Sequence, residues 1–296
     1  MTAQPVIHGQ GAAYVTRFAP SPTGLLHEGH AYSAILAHDR ARAAGGQFLL
    51  RIEDIDDTRS RPEHVAAILA DLTWLGLTWE GPVFQSARLD RYAAALDRLQ
   101  RRGLVYPCFC TRAAIAASLS APHGREGVAY PGTCRILTRD EREGRTGEAH
   151  CWRLDLGKAL DETGSDLRWH DAIAGVIAAD PTPQGDVILA RKDAPASYHL
   201  AVTVDDAAQG VTEIVRGVDL FEATHVHRVI QALLGLPTPR YFHHPLLTDT
   251  SGERLAKRRG APSLTALREA GADGVALADH LRAAIAQSPE PTTFGP

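Results

Sequence analysis

Two imidazoles three residues apart, His27 and His30, flank Glu28 and Gly29 just after the turn-forming run Pro20-Ser21-Pro22-Thr23-Gly24. The residues before that run read as the end of a strand, and those after Gly29 read as a helix. Histidines at the mouth of a helix have a chemical use. The free N–H groups and partial positive charge of a helix N-terminus suit phosphate. Imidazoles add donors beside it, and a glycine lets a phosphate or flat ring approach the backbone. His27, Gly29 and His30 are therefore the candidate site for a nucleoside triphosphate whose charge shifts during reaction. The chain has no Gly-x-x-x-x-Gly-Lys-Ser/Thr loop and no Gly-x-Gly-x-x-Gly turn, which argues against phosphate-loop and dinucleotide readings.

Arg17 and Arg216 are candidate clamps for carboxylates, because a guanidinium fork grips a carboxylate with two hydrogen bonds. Glu53, at the end of a second strand, is placed to hold an ammonium group, and Tyr198 offers a hydroxyl. Each of these has a plainer reading as a surface charge or local ion pair.

The four cysteines are Cys108, Cys110, Cys134 and Cys151. Three of them crowd into one window of a chain with no export signal, which favours a metal over disulfides. Zinc takes four tetrahedral nitrogen and sulfur ligands in structural sites. Cys108, Cys110 and Cys134 supply three. His123, Tyr130 and Cys151 are available as the fourth.

These residues need a scaffold. "YVTRFA" reads as a strand, "GHAYSAILAHDRARAAGG" as a helix stopped by Gly45-Gly46, and "QFLLRIED" as a second strand. "RPEHVAAILADLTWLGL" is a second helix with Pro62 in its first turn, and "ARLDRYAAALDRLQRRG" a third. Strand, helix and strand in that order imply a parallel sheet with helices on both faces. Ligands of such sheets bind at the carboxyl ends of the strands, where Arg17 to Ser21 would sit. From Cys108 to Ala190 glycine, proline and charge rise and helical periodicity weakens, as in an insertion. "SYHLAVTVDDAAQGVTEIVRG" reads as the sheet resuming, followed by the helix "EATHVHRVIQALLGL".

The 296 residues are 44% hydrophobic with a formal charge of −4. That length holds one large domain with an insertion. Nucleic acid would have to be bound by a local basic patch, since the overall field does not attract phosphate. There is no signal-peptide pattern at the start and no apolar run near the ~20 residues of a membrane span. A cytoplasmic enzyme is expected, monomeric and not membrane-bound.

"RFAPSPTGLLHEGH" resembles the first signature of class I glutamyl-tRNA synthetases, and "FLLRIEDIDDTRS" resembles the block that follows it in that family. "LTWLGLTWEGPVFQSARLDRY", "LVYPCFCTR", "SYHLAVTVDDAAQGVTEIVRGVDL" and "RLAKRRG" extend the match in the family's order over nearly the whole chain. The resemblance implies a Rossmann-like α/β catalytic domain interrupted by a zinc-containing insertion. It divides the chain into 1–86, first half of that domain; 87–190, insertion; 191–245, second half; and 246–296, signature loop and C-terminal helices. It implies that Arg17, Phe18, Ala19, Pro20, Ser21, Glu53, Tyr198 and Arg216 contact L-glutamate. It gives ATP with Mg²⁺ to His27, Gly29, His30 and Lys257, with His27, His30 and Lys257 catalytic. "Tyr-Pro-Gly-Thr-Cys" is similar to family members in which tyrosine completes the zinc site, which implies Tyr130 as fourth ligand.

Three departures stand out. Val202 occupies a position where ordinary members carry asparagine. The second signature is altered, with Arg254 and Ala256 replacing a lysine and a serine while Lys257 is kept; Arg258 and Arg259 could touch tRNA phosphate. The chain also stops about forty residues after Lys257, so no anticodon-reading domain is expected. That length resembles the truncated paralogues of the family, which activate glutamate and transfer it to queuosine at the wobble position of tRNA(Asp). The alternatives are a truncated synthetase that charges a tRNA 3′ end, a small-molecule nucleotidyltransferase, and a non-catalytic RNA-binding relative.

Overall fold

The computed structural model describes residues 13–111, 130–145, 147–164, 166–247 and 262–287. Lys257, Arg254, Ala256, Arg258, Arg259 and His123 lie outside them.

Strand β1 (Val15–Phe18) pairs in parallel with β2 (Gln47–Ile52), and β2 in parallel with β3 (Glu80–Phe84). Helices α1 (Glu28–Ala43) and α2 (Pro62–Trp74) make the two crossovers, as parallel pairing requires. Gly46 is needed where the chain re-enters the sheet. A Cβ there would stand 2.0 Å from the Tyr14 carbonyl oxygen, which accepts the Gln47 N–H at 2.8 Å. Along β2 the side chains alternate. Phe48, Leu50 and Ile52 join the core beneath α1 and α2. Leu49 packs on the opposite side with Val15, Ile214 and Tyr241.

The second group of strands runs β7 (Gly175–Ala178), β6 (Arg168–Asp171), β10 (Arg240–His244), β9 (Glu213–Gly217). β6 and β9 both lie parallel to β10, and β7 closes antiparallel on β6. The two groups meet at β1 and β9. Thr212 N–H donates to the Val15 carbonyl at 2.9 Å, and Val15 N–H donates to Thr212 Oγ1 at 2.9 Å. The spatial order 3-2-1-9-10-6-7 therefore reverses direction between β1 and β9, the switch point where open α/β sheets bind ligands.

A separate antiparallel sheet joins β4 (Val105–Cys108), β5 (Cys151–Leu154) and β8 (Ile188–Ala190). Helix α4 (Arg139–Glu143) precedes β5. Helices α3 (Leu89–Arg101), α5 (Leu156–Thr163), α6 (Tyr198–Ala208) and α7 (Phe221–Leu234) share a second core built on Tyr92, Leu99, Leu154, Leu200 and Val229. Helices α8 (Leu264–Glu269) and α9 (Gly274–Gln287) complete the first core through Leu264, Ala278 and Leu281.

Two expectations need correcting. The segment from Ser197 does not re-enter the sheet at once: Tyr198 to Ala208 form α6, and only Glu213 to Gly217 are strand. Its apolar residues are dense enough to pass for a buried strand, which periodicity alone does not separate from a buried helix. The insertion also does not run unbroken through 87–190, because β6 pairs with β10 and returns Asp171 to the main sheet.

Candidate active site at the seam of the sheet

Where β1 and β9 part, a cavity of ≈ 580 Å³ opens above their carboxyl ends. Arg17, Phe18, Ala19, Pro20, Ser21, His27, Gly29, His30, Glu53, Tyr198 and Arg216 all line it. The structure thus gathers every candidate for the nucleotide and amino-acid sites except Lys257, which lies outside the described residues.

His27 is the N-cap of α1. Its Nδ1 accepts the Gly29 N–H at 3.1 Å, while its own N–H donates to His30 Nδ1 at 3.2 Å. Two imidazoles thereby perform a reciprocal capping box. Because both Nδ1 atoms accept, each neutral ring carries its proton on Nε2. Burial depresses both rings, His30 to about 4, so neutral donors are what this helix mouth presents near pH 7. A Cβ on Gly29 would lie 3.0 Å from His27 Cε1, so only glycine leaves the capping ring in place without displacement.

Arg17 is 4% exposed and does not stand alone. Its Nε meets Asp206 at 3.0 Å, and Asp206 also pairs with the fully buried Arg51 at 2.9 Å. Asp205, one residue earlier on α6, accepts from Gln85, Arg88 and Tyr92 at 2.9, 2.6 and 2.6 Å. Burying a charge is costly unless it is paired and hydrogen-bonded. The two aspartates are what allow β1 and β2 to carry arginines inside the fold. Glu53, 3.7 Å from Arg51, borders this network. Burial pushes its carboxyl up to about 7, although Arg51 and Arg17 pull it down.

Arg216 differs in kind. It is 4% exposed, yet among the described residues its partners are neutral. Nε donates to His243 Nε2 at 3.1 Å, Nη1 to the Tyr198 hydroxyl at 3.1 Å, and Nη2 to Thr224 Oγ1 at 2.6 Å. No carboxylate of the described residues neutralises it. A desolvated guanidinium facing a cavity without a counter-ion is a receptor for an anion.

Cys108, Cys110 and Cys134 lie with their sulfurs within 4.8 Å of one another. Cys110 and Cys134 sulfurs are 3.5 Å apart, and the Tyr130 hydroxyl sits 3.4 Å from both Cys108 and Cys110. A tetrahedron with metal–sulfur bonds of ~2.3 Å has edges of about 3.8 Å, so this spacing fits a metal. The Tyr130 hydroxyl stands beside the three sulfurs and accepts the Cys134 N–H at 2.9 Å. Cys151 sits beside Cys108 across β4 and β5, but its thiol turns to the Cys108 carbonyl at 3.6 Å. The cluster belongs to the antiparallel sheet and lines no part of the cavity.

Several lining residues carry no sequence signal of their own. His244 Nε2 accepts from Ser33 Oγ at 2.9 Å and shapes the wall beside Tyr32. Gly217 and Asp219 continue that wall after Arg216. The adjacent His243-His244 pair was the one available hint.

Residues 13–288 match the sequence profile of a family described as tRNA synthetases class I (E and Q), catalytic domain. A glutamyl-Q tRNA(Asp) synthetase of Rhodobacter capsulatus is 52% identical over 270 residues, covering 87% of this chain and 96% of that protein. One from Symbiobacterium thermophilum is 46% identical over 288 residues, 93% of this chain and 88% of that protein. Among solved structures, a glutamate tRNA ligase from Elizabethkingia meningosepticum superposes with a TM-score of 0.71 at 24% identity, over 88% of this chain and 53% of that one. A glutamate-tRNA synthetase from Elizabethkingia anophelis gives 0.72 at 24% identity, over 88% and 54%. The chain spans about half the length of those two proteins, and the likeness to them is one of fold. No helix of the described residues is long and apolar enough to cross a membrane. With its Rossmann-like parallel sheet, its cleft at the switch point and its length-wide identity to curated relatives, the chain belongs to the class I tRNA synthetases of the E and Q type, in the glutamyl-Q tRNA(Asp) synthetase family.

Proposed function

We propose that this enzyme activates L-glutamate with ATP and transfers it to the queuosine base at the wobble position of tRNA(Asp). The observation that carries the reading is Arg216, a buried cation that has no counter-ion among the described residues and shares one cavity with His27, Gly29 and His30. It receives the glutamate side-chain carboxylate. Arg17 and Ser21 line the same end, Tyr198 adds its hydroxyl, and Glu53 takes the α-ammonium group. The ammonium ion restores the charge on Glu53 that burial disfavours.

In the first step an oxygen of the α-carboxylate attacks the α-phosphorus of ATP, and pyrophosphate leaves. Mg²⁺ enters with ATP. The Nε2–H groups of His27 and His30 and the N-terminus of α1 are fixed in advance where phosphate charge develops, so little reorganisation accompanies the reaction. Lys257 neutralises the leaving pyrophosphate. In the second step a hydroxyl of the queuosine cyclopentenediol attacks the mixed anhydride and AMP departs. Cys108, Cys110, Cys134 and Tyr130 hold a structural zinc, which when bound cross-links the segments around β4.

Acylation of tRNA(Asp) with and without queuosine tests the proposal, with periodate sensitivity locating the product. Glutamate found on the 3′-terminal ribose would overturn it.

A further inference from the structure

Asp171, His243 and Arg216 stand on three neighbouring strands, β6, β10 and β9. His243 is the register partner of Arg216, and Asp171 pairs with Tyr241, two residues before His243. In a parallel sheet that places all three side chains on one face. Asp171 Oδ2 lies 2.8 Å from His243 Nδ1, and Nε2 of the same ring accepts from Arg216 Nε at 3.1 Å. All three residues are buried.

The proton positions follow from the chemistry. Asp171 is a carboxylate: burial opposes its charge, but hydrogen bonds from His243 and from the Ala174 and Ile173 N–H groups hold it below the usual range. A carboxylate only accepts, so His243 Nδ1 carries the proton and Nε2 is left with its lone pair. A guanidinium only donates, so it needs that lone pair. Burial brings His243 down to about 4, which keeps the ring neutral. A carboxylate in direct contact with Arg216 would hold it equally well but would cancel its charge. The interposed ring passes on the orientation without the neutralisation.

We infer that Asp171 and His243 are positioning residues, which fix Arg216 through the histidine tautomer while leaving its charge for the carboxylate of the amino-acid substrate. The inference rests on the glutamate-activation reading above. It also accounts for the partners of Arg216 among the described residues, His243, Thr224, Tyr198 and, at 3.5 Å, His227: none brings a negative charge.

Asp171→Asn tests it. The amide oxygen still accepts the Ile173 and Ala174 N–H groups that Asp171 Oδ1 accepts at 2.8 and 2.9 Å. Its NH₂ group, however, replaces the Oδ2 that accepts the His243 backbone N–H at 3.1 Å, and it donates to His243 Nδ1, driving the proton to Nε2, where two donors then face each other. In glutamate-dependent ATP–pyrophosphate exchange by the full-length chain, the KM for glutamate rises tenfold or more and the KM for ATP stays within twofold. In a His243→Gln background the amide oxygen accepts from Arg216 whatever occupies position 171, so Asp171→Asn then changes the glutamate KM less than twofold. Equal effects in the two backgrounds, or a parallel rise in both KM values, overturn the inference. Nitrogen NMR of labelled histidine reads the tautomer without activity: Nδ1–H in the wild-type chain, Nε2–H in Asp171→Asn. Nε2–H in the wild type also overturns it. A wild-type chain lacking glutamate-dependent exchange would count against the activation reading, while the tautomer would still decide this one.

Discussion

His27 and His30 lie with ring centroids 3.8 Å apart and planes tilted by 34°, and together they cap α1, His27 accepting the Gly29 N–H and His30 the His27 N–H. The same two rings therefore serve the fold and the reaction, and the roles separate by substitution. Asparagine is a strong N-cap. His27→Asn keeps an acceptor for the Gly29 N–H but removes the Nε2 donor. Stability should stay within about 0.5 kcal/mol by urea denaturation, since the cap is retained. Glutamate-dependent exchange should fall by roughly 10²–10³, the usual cost of one preorganised donor. Loss of stability with normal exchange would assign His27 to capping alone.

The histidines also set the acid limit of the fold. His30, His199 and His243 are each brought to about 4, chiefly by burial. His27, His225, His227 and His244 are lowered too, again chiefly by burial. The unfolded chain binds protons to these groups near pH 6.5 and the native chain does not, so stability is full above that pH and drains away as pH falls toward 4. Glu53 runs the other way: raised to about 7, it costs stability as pH rises from 4.5 to 7. One carboxyl does not balance so many imidazoles. Unfolding free energy measured from pH 7.5 to 4.5 should decrease steeply; a flat profile would contradict the burial of these rings.

Asp206 is the residue on which two buried arginines depend. Asp206→Ala leaves Arg17 and Arg51 without it, and breaking a buried pair typically costs ~3–5 kcal/mol. Equilibrium unfolding should show a loss of that size, and the glutamate KM should rise because Arg17 lines the cavity. A loss below about 1 kcal/mol would mean that water reaches the network, as at surface pairs.

Tyr130→Phe tests the fourth ligand proposed for the cysteine cluster. The ring keeps its stacking beneath the Arg153 guanidinium at 3.9 Å and loses only the hydroxyl. Zinc content after dialysis against a mild chelator should drop well below that of the parent chain, as judged by elemental analysis. Cys134→Ser should lose zinc outright. Equal zinc retention in Tyr130→Phe would hand the fourth corner to another group.

The parts of the site that sequence made legible are the local ones. Arg17 to His30 form a continuous run, so strand end, turn and helix cap are all written within fourteen residues. β1, α1, β2 and α2 follow period and punctuation closely for the same reason. The support of Arg216 was not legible, because it comes from register. Asp171 lies within a stretch that reads as insertion, and nothing local says that β6 pairs with β10. Asp205 and Asp206 lie in a stretch that reads as strand, and nothing local says that β1 and β2 present arginines to them. Tertiary pairing, not propensity, decides those positions.

The seam at Thr212 and Val15 has a consequence for biosynthesis. These residues are 197 positions apart. At about 5–20 residues per second, roughly 10–40 s pass on the ribosome between the emergence of the first strand and that of its neighbour. Until then one edge of Val15–Phe18 has nothing to pair with, and an open edge is a template for misassembly. The cleft that defines the enzyme cannot form before β9 emerges, so the early domain half waits, incomplete, for a partner strand still being translated.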